Sequence, residues 1–356
     1  MNKVIVDCER MKYEHTGLYH YCLQLGLALE RNKIGNSEDV YYYMRQSNIG
    51  VLGSQANYIQ QHSLQKFWLP SLRNHSVWHA TYQATNYFPQ RSNIKIVLTI
   101  HDINFMHDDS KVQFKREREL RKLQRKINRA DHIVAISQFT LENVKQHLDL
   151  KNKIVSVVYN GCNIEELPSI SPPLNKPSGK FLYTIGTITD KKNFHVLPSL
   201  LERNDYELII SGITQSEEYK QKIVDESIRY GVANRVTFTG AITENDKQWY
   251  LKNCEAFLFP SLAEGFGLPV IEAMYFGKPA ILSTLTALPE VGGDAAYYFE
   301  NFEASHMQTV LTESLAHYNG NEYMKKRIRD RADLFNWDKT AGQYLEIYRS
   351  LYNRSR

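Results

Sequence analysis

Long apolar runs are missing from this chain of 356 residues. No stretch approaches the ~20 apolar residues that a spanning helix needs. Asp7, Glu9 and Arg10 interrupt the N-terminal segment that a secretory leader would keep apolar. The expectation is a cytoplasmic protein whose contact with a membrane, on its inner face, would be peripheral. Cysteine is scarce: Cys8, Cys22, Cys162 and Cys254 include no C-x-x-C pair. That removes the usual zinc and dithiol redox motifs and predicts buried, reduced thiols. A strong excess of one charge is lacking too. The 43 Lys and Arg against 39 Asp and Glu leave +4, too little to imply nucleic acid, though a local basic patch could face phosphates or lipids. The first strand-to-helix turn has no G-x-G-x-x-G, which disfavours a dinucleotide dehydrogenase. There is no D-x-D either; Asp7-Cys8-Glu9 is the nearest, at the wrong type of site, so no metal is expected.

What is present is an alternation of short apolar strands and helical segments. Lys3–Asp7, Val40–Met44, Val77–Ala80, Ile94–Ile100, His132–Ile136 and Val155–Tyr159 read as strands. Leu18, Cys22, Leu25 and Leu29 recur at helical spacing, Val112–Arg129 reads as a long charged helix, and Ser137 can cap the helix that follows it. Pro168, Pro172, Pro173 and Pro177 then fall within ten residues, a run that holds neither helix nor sheet. The alternation restarts with Phe181–Ile185, Glu207–Ile210, Val236–Thr239, Ala256–Phe259 and Ala280–Ser283. This pattern predicts an α/β fold of two doubly wound parallel sheets. The expected division is residues 1–167, a linker over 168–179, a second domain over 180–336, and a last helix over 337–356 with Tyr344, Ile347, Tyr348 and Leu351 on one face. Ligands in such sheets bind beyond the carboxyl ends of the strands, so residues just after each strand are the ones to search.

The most informative of these segments runs from Phe259 to Met274. A strand ends at Pro260, a loop carries Glu264, Gly265 and Gly267, and Pro269 suits the first turn of a helix that bears Glu272. Free N–H groups at a helix start, with glycines allowing close approach, make an anion site. Eight helical residues would span roughly 12 Å, the scale of a nucleotide sugar from hexose to ribose. A second block, Ile185-Gly-Thr-Ile-Thr-Asp-Lys-Lys-Asn193, follows the first strand of the second domain. Lys191 and Lys192 there can neutralise a diphosphate as point charges.

These blocks resemble the family 4 retaining glycosyltransferases, whose signature is E-x7-E. Glu264 and Glu272 satisfy it inside Glu-Gly-Phe-Gly-Leu-Pro-x-x-Glu-Ala-Met, and Gly277–Ser283 and Leu288–Ala296 match further downstream, so that the resemblance runs from about Tyr183 to Phe299. It implies the GT-B fold, two Rossmann-like domains facing a central cleft, the first on the acceptor side and the second binding the donor. It also implies that Glu264 contacts the donor sugar and Glu272 the ribose, while the backbone at Phe266, Gly267 and Leu268 faces sugar and diphosphate. Many relatives carry Arg where Thr187 stands; Lys192 matches their Lys, and Lys191 takes the place of a second Arg in one subset. That subset resembles enzymes using GDP-mannose. In the first domain the resemblance points to His101 near the donor sugar, with Asp102 and Asn104 beside it, and to Gly17 in a phosphate-touching loop that here keeps only that glycine. Tyr82, Tyr87 and Phe88 follow a first-domain strand and are candidate acceptor contacts, aromatic faces being suited to sugars; Asp102 and Asn104 are acceptor candidates as well.

The expected activity is therefore transfer of a hexose, with retention, from a nucleotide-diphosphate-sugar to a glycan or lipid-linked acceptor, in cell-surface polysaccharide or lipopolysaccharide synthesis. Lys192, Lys191 and the helix start would stabilise the leaving diphosphate without cofactor or metal, Glu264, Lys192 and His101 forming the catalytic group. The rivals are a nucleotide-sugar 2-epimerase of the same fold and a degenerate scaffold. A glycosidase would need two carboxylates facing each other across the scissile bond. Residues Lys111 to Arg129 hold nine Lys or Arg and two Glu. This run is either a solvated helix face or a surface for anionic lipid, and Leu120, Leu123 and Ile127 within it could serve a core or an interface.

Overall fold

The computed structural model describes residues 2–14, 16–33, 38–69, 72, 74–89, 93–106, 113–162 and 164–353. It divides into two units: residues 1–161 with 335–356, and residues 162–334.

The first unit is a parallel sheet built from β1 (Asn2–Asp7), β2 (Glu38–Met44), β3 (Asn57–Gln60), β4 (Val77–Ala80), β5 (Lys95–Ile100), β6 (His132–Ala135) and β7 (Ile154–Val157), with α1 (Gly17–Asn32), α2 (Gln113–Arg129) and α3 (Gln138–His147) between strands. The strand order is β3-β2-β1-β4-β5-β6-β7. Side chains alternate across the pleat. Val4, Val6, Tyr42 and Met44 pack on one face with Cys22, Leu25 and Leu29 of α1. Ile5, Tyr43, Trp78 and Leu98 pack on the other with Leu123 and Ile127 of α2 and Val144 of α3. Thr16 caps α1 by accepting from the Tyr19 N–H, and Ser137 caps α3 by accepting from Thr140.

The second unit is a parallel sheet of β8 (Phe181–Ile185), β9 (Glu207–Ser211), β10 (Val236–Gly240), β11 (Ala256–Phe259), β12 (Ala280–Ser283) and β13 (Tyr297–Phe299). Its helices are α4 (Glu217–Arg229), α5 (Glu244–Asn253), α6 (Leu268–Tyr275), α7 (Leu288–Gly292), α8 (Ala304–Tyr318) and α9 (Glu322–Ala332). The order is β10-β9-β8-β11-β12-β13. Both sheets thus carry a doubly wound order, with the winding reversing between β1 and β4 and between β8 and β11. A crevice opens at each reversal, which is where ligands of such sheets bind.

The chain then returns to the first unit as α10 (Trp337–Asn353). Trp337, Tyr344, Tyr348 and Leu351 join the core made by β1, β2 and α1. The tie is polar as well as apolar. His79, fully buried on β4, contacts the Tyr348 hydroxyl through Nδ1 (2.7 Å) and Thr99 Oγ1 through Nε2 (2.8 Å). Tyr344 bonds Thr99 and Tyr21. Burial pushes the His79 pKa down to about 3, so this network holds a neutral imidazole.

Several boundaries differ from the sequence reading. The first unit ends at Gly161, before the proline-rich stretch, and that stretch belongs to the second unit. Leu167 N donates to Gln248, Ser171 N to Asn245, and Ser178 and Gly179 N to Glu207. Tyr159 lies beyond β7, whose last residue is Val157. The expected start of the charged helix, Lys111 and Val112, lies outside the described residues, as does His15 next to the Gly17 loop.

Candidate active site

The winding reversal of the second unit explains which loops meet. β8 and β11 are neighbours, so Gly186–Asn193 after β8 and Pro260–Gly267 after β11 leave the sheet side by side. Leu262 N donates to the Lys191 carbonyl (2.8 Å), which ties the loops by their backbones. Lys192 then bonds Glu264, Nζ to Oε1 at 2.5 Å, both side chains mostly buried. Its ammonium also sits 4.8 Å from the centre of the Phe259 ring. The stem passes so close to Gly186 that a Cβ there would lie 3.1 Å from Lys192 Cε. Lys191 is exposed and Thr187 half-buried.

α6 begins at this point. Gly267 is its N-cap at φ 109°, with no side chain capping the helix. Only glycine adopts that conformation readily, and a Cβ would in addition meet Leu288 at 2.9 Å. The first turn therefore leaves backbone N–H groups without intrahelical partners, next to a lysine-glutamate pair. Phe266 is buried beneath the loop. Two further features were not legible in the sequence. Thr286 adopts φ 57°, rare for a β-branched residue, and its hydroxyl accepts the Glu264 N–H at 3.0 Å. Such strain is often retained where a site needs it. Glu272, one turn into α6, accepts from Lys247 of α5 at 2.9 Å. Burial opposes the charge on Lys247, but Glu272 and Glu244 together hold its pKa above the usual lysine range. Thr189 Oγ1, Asn193 Nδ2 and Ser261 Oγ, all in the two loops, are buried with no hydrogen-bond partner among the described residues. Buried polar atoms of this kind are uncommon.

In the first unit, the reversal between β1 and β4 gathers another group. His101, after β5, is buried; its Nε2–H donates to the Thr81 carbonyl (2.8 Å) and its ring meets Tyr21 edge-on. Burial lowers its pKa, so it is neutral, with Nδ1 as acceptor. Asp102 accepts the Asn104 N–H in a tight turn, and its carbonyl accepts from Gln83; Asn104 Oδ1 is buried without a partner among the described residues. Tyr82 is half-buried, with the Arg10 guanidinium 4.8 Å from its ring centre. Tyr87 and Phe88 differ from the expectation of acceptor contacts. Both are buried in the core of the α2 side, and the Tyr87 hydroxyl accepts from Gln61. Gly17 is the first residue of α1 and a Cβ there would meet nothing, so space does not demand glycine.

Asp7 and Glu9 are both buried and occupied by the protein. Asp7 accepts from Thr85 Oγ1 (2.7 Å) and from Glu9 N (3.1 Å), and Glu9 pairs with Lys12. Among the described residues no cluster of three His, Cys, Asp or Glu could hold a metal ion. The four thiols are free, three of them buried and Cys162 half-buried. A groove lined by Leu167, Pro168, Trp249 and Lys252 includes none of the candidate site residues.

Two sequence families match the chain: "Glycosyl transferases group 1" over residues 168–331, and "Glycosyltransferase Family 4" over residues 54–166. O-antigen chain mannosyltransferase B of Escherichia coli is 24% identical over 393 aligned positions, covering 98% of this chain and all of that protein. Among solved structures, sucrose-phosphate synthase from Thermosynechococcus elongatus superposes with a TM-score of 0.77 at 19% identity, over 99% of this chain and 100% of the other. HepE of Anabaena, solved with UDP-glucose, gives 0.73 at 15% identity over 98% of this chain and 100% of the other. Two Rossmann-like sheets, the E-x7-E helix beside a lysine loop and these matches lead to one conclusion: the chain is a GT-B enzyme that belongs to the group 1, family 4 glycosyltransferases.

Proposed function

We propose that this glycosyltransferase moves a mannosyl group from GDP-mannose, with retention and without a metal, onto a growing glycan or lipid-linked acceptor in cell-surface polysaccharide synthesis. The observation that carries the reading is the Lys192–Glu264 pair at the uncapped start of α6. An ammonium and a helix start together favour the diphosphate leaving group as its charge grows. Glu264, released from Lys192 once a diphosphate takes the ammonium, offers its oxygens to sugar hydroxyls. Glu272, turned by Lys247, suits a ribose diol, and neutral His101 offers Nδ1 as an acceptor to a sugar hydroxyl. The resemblance to an O-antigen mannosyltransferase over nearly the whole chain supports the choice of sugar and pathway. Lys191, Thr187 and the backbone of Phe266, Gly267 and Leu268 complete the donor contacts; Tyr82, Asp102 and Asn104 remain the acceptor candidates.

The test is a donor panel. Thermal stabilisation by GDP and GDP-mannose beyond that by UDP, ADP and their sugars is expected, since a ligand stabilises in proportion to its affinity. The anomeric configuration of the product, followed by NMR, is expected to match the donor, and turnover to survive EDTA. An inverted product would reject the mechanism. Strict dependence on added divalent metal would show that protein cations and the helix start do not suffice, and preference for UDP-sugars would overturn the donor assignment.

A further inference from the structure

Helix α2 has spent its apolar stripe. Leu123 and Ile127 are buried in the first unit's core and Leu120 packs against it, so this helix cannot lay a hydrophobic face into a bilayer. Its opposite side carries Phe114, Arg118, Arg121 and Arg125 at spacings of four, three and four, all exposed. The Arg121 guanidinium lies over the Phe114 ring at 5.9 Å. Among the described residues neither Arg118 nor Arg125 has a carboxylate at ion-pair distance.

The missing apolar element stands elsewhere on the same face of the sheet. Leu64, Phe67 and Trp68 are 78%, 81% and 83% exposed. Other large exposed side chains, such as Leu174 or Tyr323, stand singly in the sequence; these three fall within five residues. They are not on a loose tail. Gln65 Oε1 accepts both the Tyr43 hydroxyl and the His62 N–H, each at 2.7 Å, which fixes the short helical turn Ser63–Lys66 to the sheet. Leu69 and Leu72, just beyond, pack against the same core that receives Leu123 and Ile127. The apolar turn and the arginine stripe therefore project from one side of one unit. Lys66, over the Phe67 ring at 4.9 Å, adds charge next to the turn.

We propose that this face docks on an anionic lipid bilayer. Leu64, Phe67 and Trp68 enter the boundary between headgroups and acyl chains, where aromatic rings are favoured. Arg118, Arg121 and Arg125 meet lipid phosphates, each basic residue adding to attraction that falls off within a Debye length. The chemistry favours a bilayer over a glycan: an exposed leucine gives a sugar no hydrogen bond and no ring face, while a mixture of aliphatic, indole and guanidinium groups suits the interface. The proposal deepens the lipid-linked reading of the acceptor, but its test needs neither donor nor acceptor, so the two can fail separately.

Full-length protein would be sedimented with vesicles of phosphatidylcholine alone and of equal parts phosphatidylcholine and phosphatidylglycerol. Binding to the anionic vesicles, weakened by high salt, is expected. Combined Leu64→Ser, Phe67→Ser and Trp68→Ser should weaken it by about tenfold or more, from the apolar area no longer buried, with thermal stability unchanged because the side chains are exposed. Combined Arg118→Ser, Arg121→Ser and Arg125→Ser should remove most of the salt dependence. Anionic vesicles should shift tryptophan emission to the blue, and Trp68→Phe should abolish the shift, since Trp78 and Trp337 are buried and the half-buried Trp249 belongs to the second unit. Absence of vesicle binding, or equal binding by the triple serine variant, would overturn the proposal. So would a change from oligomer to monomer in that variant without loss of vesicle binding, which would assign the turn to a second copy, or shielding of Trp68 by a soluble glycan alone.

Discussion

Lys192 is held by two groups that it would have to release or share in the proposed donor complex: the Glu264 carboxylate and the face of Phe259. In the proposed reaction the leaving diphosphate draws on that ammonium most strongly as the sugar bond breaks, and only such differential contact lowers the barrier. Lys192→Ala is expected to cut turnover about a hundredfold or more. Glu264→Ala should cut turnover while sparing free GDP, whereas Glu272→Ala should weaken GDP by roughly 1–3 kcal/mol; steady-state kinetics and calorimetry separate the three. Unchanged GDP affinity in Glu272→Ala would remove it from the ribose role. Asp7 makes a prediction of a different kind. Burial raises its pKa to about 7, against the opposing hydrogen bonds from Thr85 and Glu9 and the charge of Lys126. A carboxyl raised in the folded state stabilises fully below its unfolded pKa of 3.8 and loses that contribution as pH rises to about 7. The buried histidines, His79 and His101, act oppositely, because their depressed values favour the folded state at higher pH. The difference between wild type and Asp7→Asn isolates the carboxyl. The wild type should lose stability relative to the variant by at most roughly 1.4 kcal/mol per pH unit across pH 4–7, read from chemical denaturation. A flat difference would mean that Asp7 ionises normally.

At the scale of elements, a buried imidazole is one of the polar ties that hold the last helix. Tyr348→Phe leaves His79 Nδ1 without its partner in a site closed to water, which should cost about 1–3 kcal/mol. Urea unfolding should show that loss, while GDP affinity, which the proposed site places wholly in the second unit, stays unchanged. That α10 exists was legible, because Tyr344, Ile347, Tyr348 and Leu351 recur at helical spacing. That it completes the first unit was not, since a docking partner is a tertiary fact with no local signal. The same division runs through the sheets. Val77–Ala80, Ala256–Phe259 and Ala280–Ser283 read correctly because strands buried on both faces are continuous apolar runs. β3 and β13, at sheet edges and only partly buried, carry too little apolar pattern to stand out. In the candidate site, the positions of Glu264, Glu272 and Lys192 at the ends of strands and the start of α6 were legible because glycines and a proline framed them or because they followed a strand. Lys247 was not: a lysine in the first turns of a charged helix looks solvated, and only the packing of α5 on α6 turns it to Glu272. Thr286 was hidden for a related reason, since nothing in Leu-Thr-Ala announces a left-handed backbone. Tyr87 and Phe88 erred the other way, being aromatic residues after a strand that the core consumed.

For the molecule as a whole, the decisive place is Gly161. The chain leaves the first unit there and re-enters at Phe335. A Cβ on Gly161 would collide with the backbone nitrogen of Trp337, so outgoing and returning segments touch through a gap that only glycine provides. Gly161→Ala must push one backbone off the other, and overpacking of this sort costs about 1–3 kcal/mol. A fall in melting temperature of several degrees is expected from calorimetry, and a neutral substitution would mean that the crossing is looser than the contact implies. The crossing also has a temporal consequence. A ribosome emits residues in order, and domains tend to fold as units during synthesis. Here the second unit, residues 162–334, can close as soon as it emerges, while the first waits with β1, β2 and α1 exposing the apolar surface that α10 will cover. The half made first is finished last. Translation therefore prolongs the exposure of the N-terminal half, and nascent chains halted near Leu334 should be protease-resistant over residues 162–334 and sensitive over the half that precedes them.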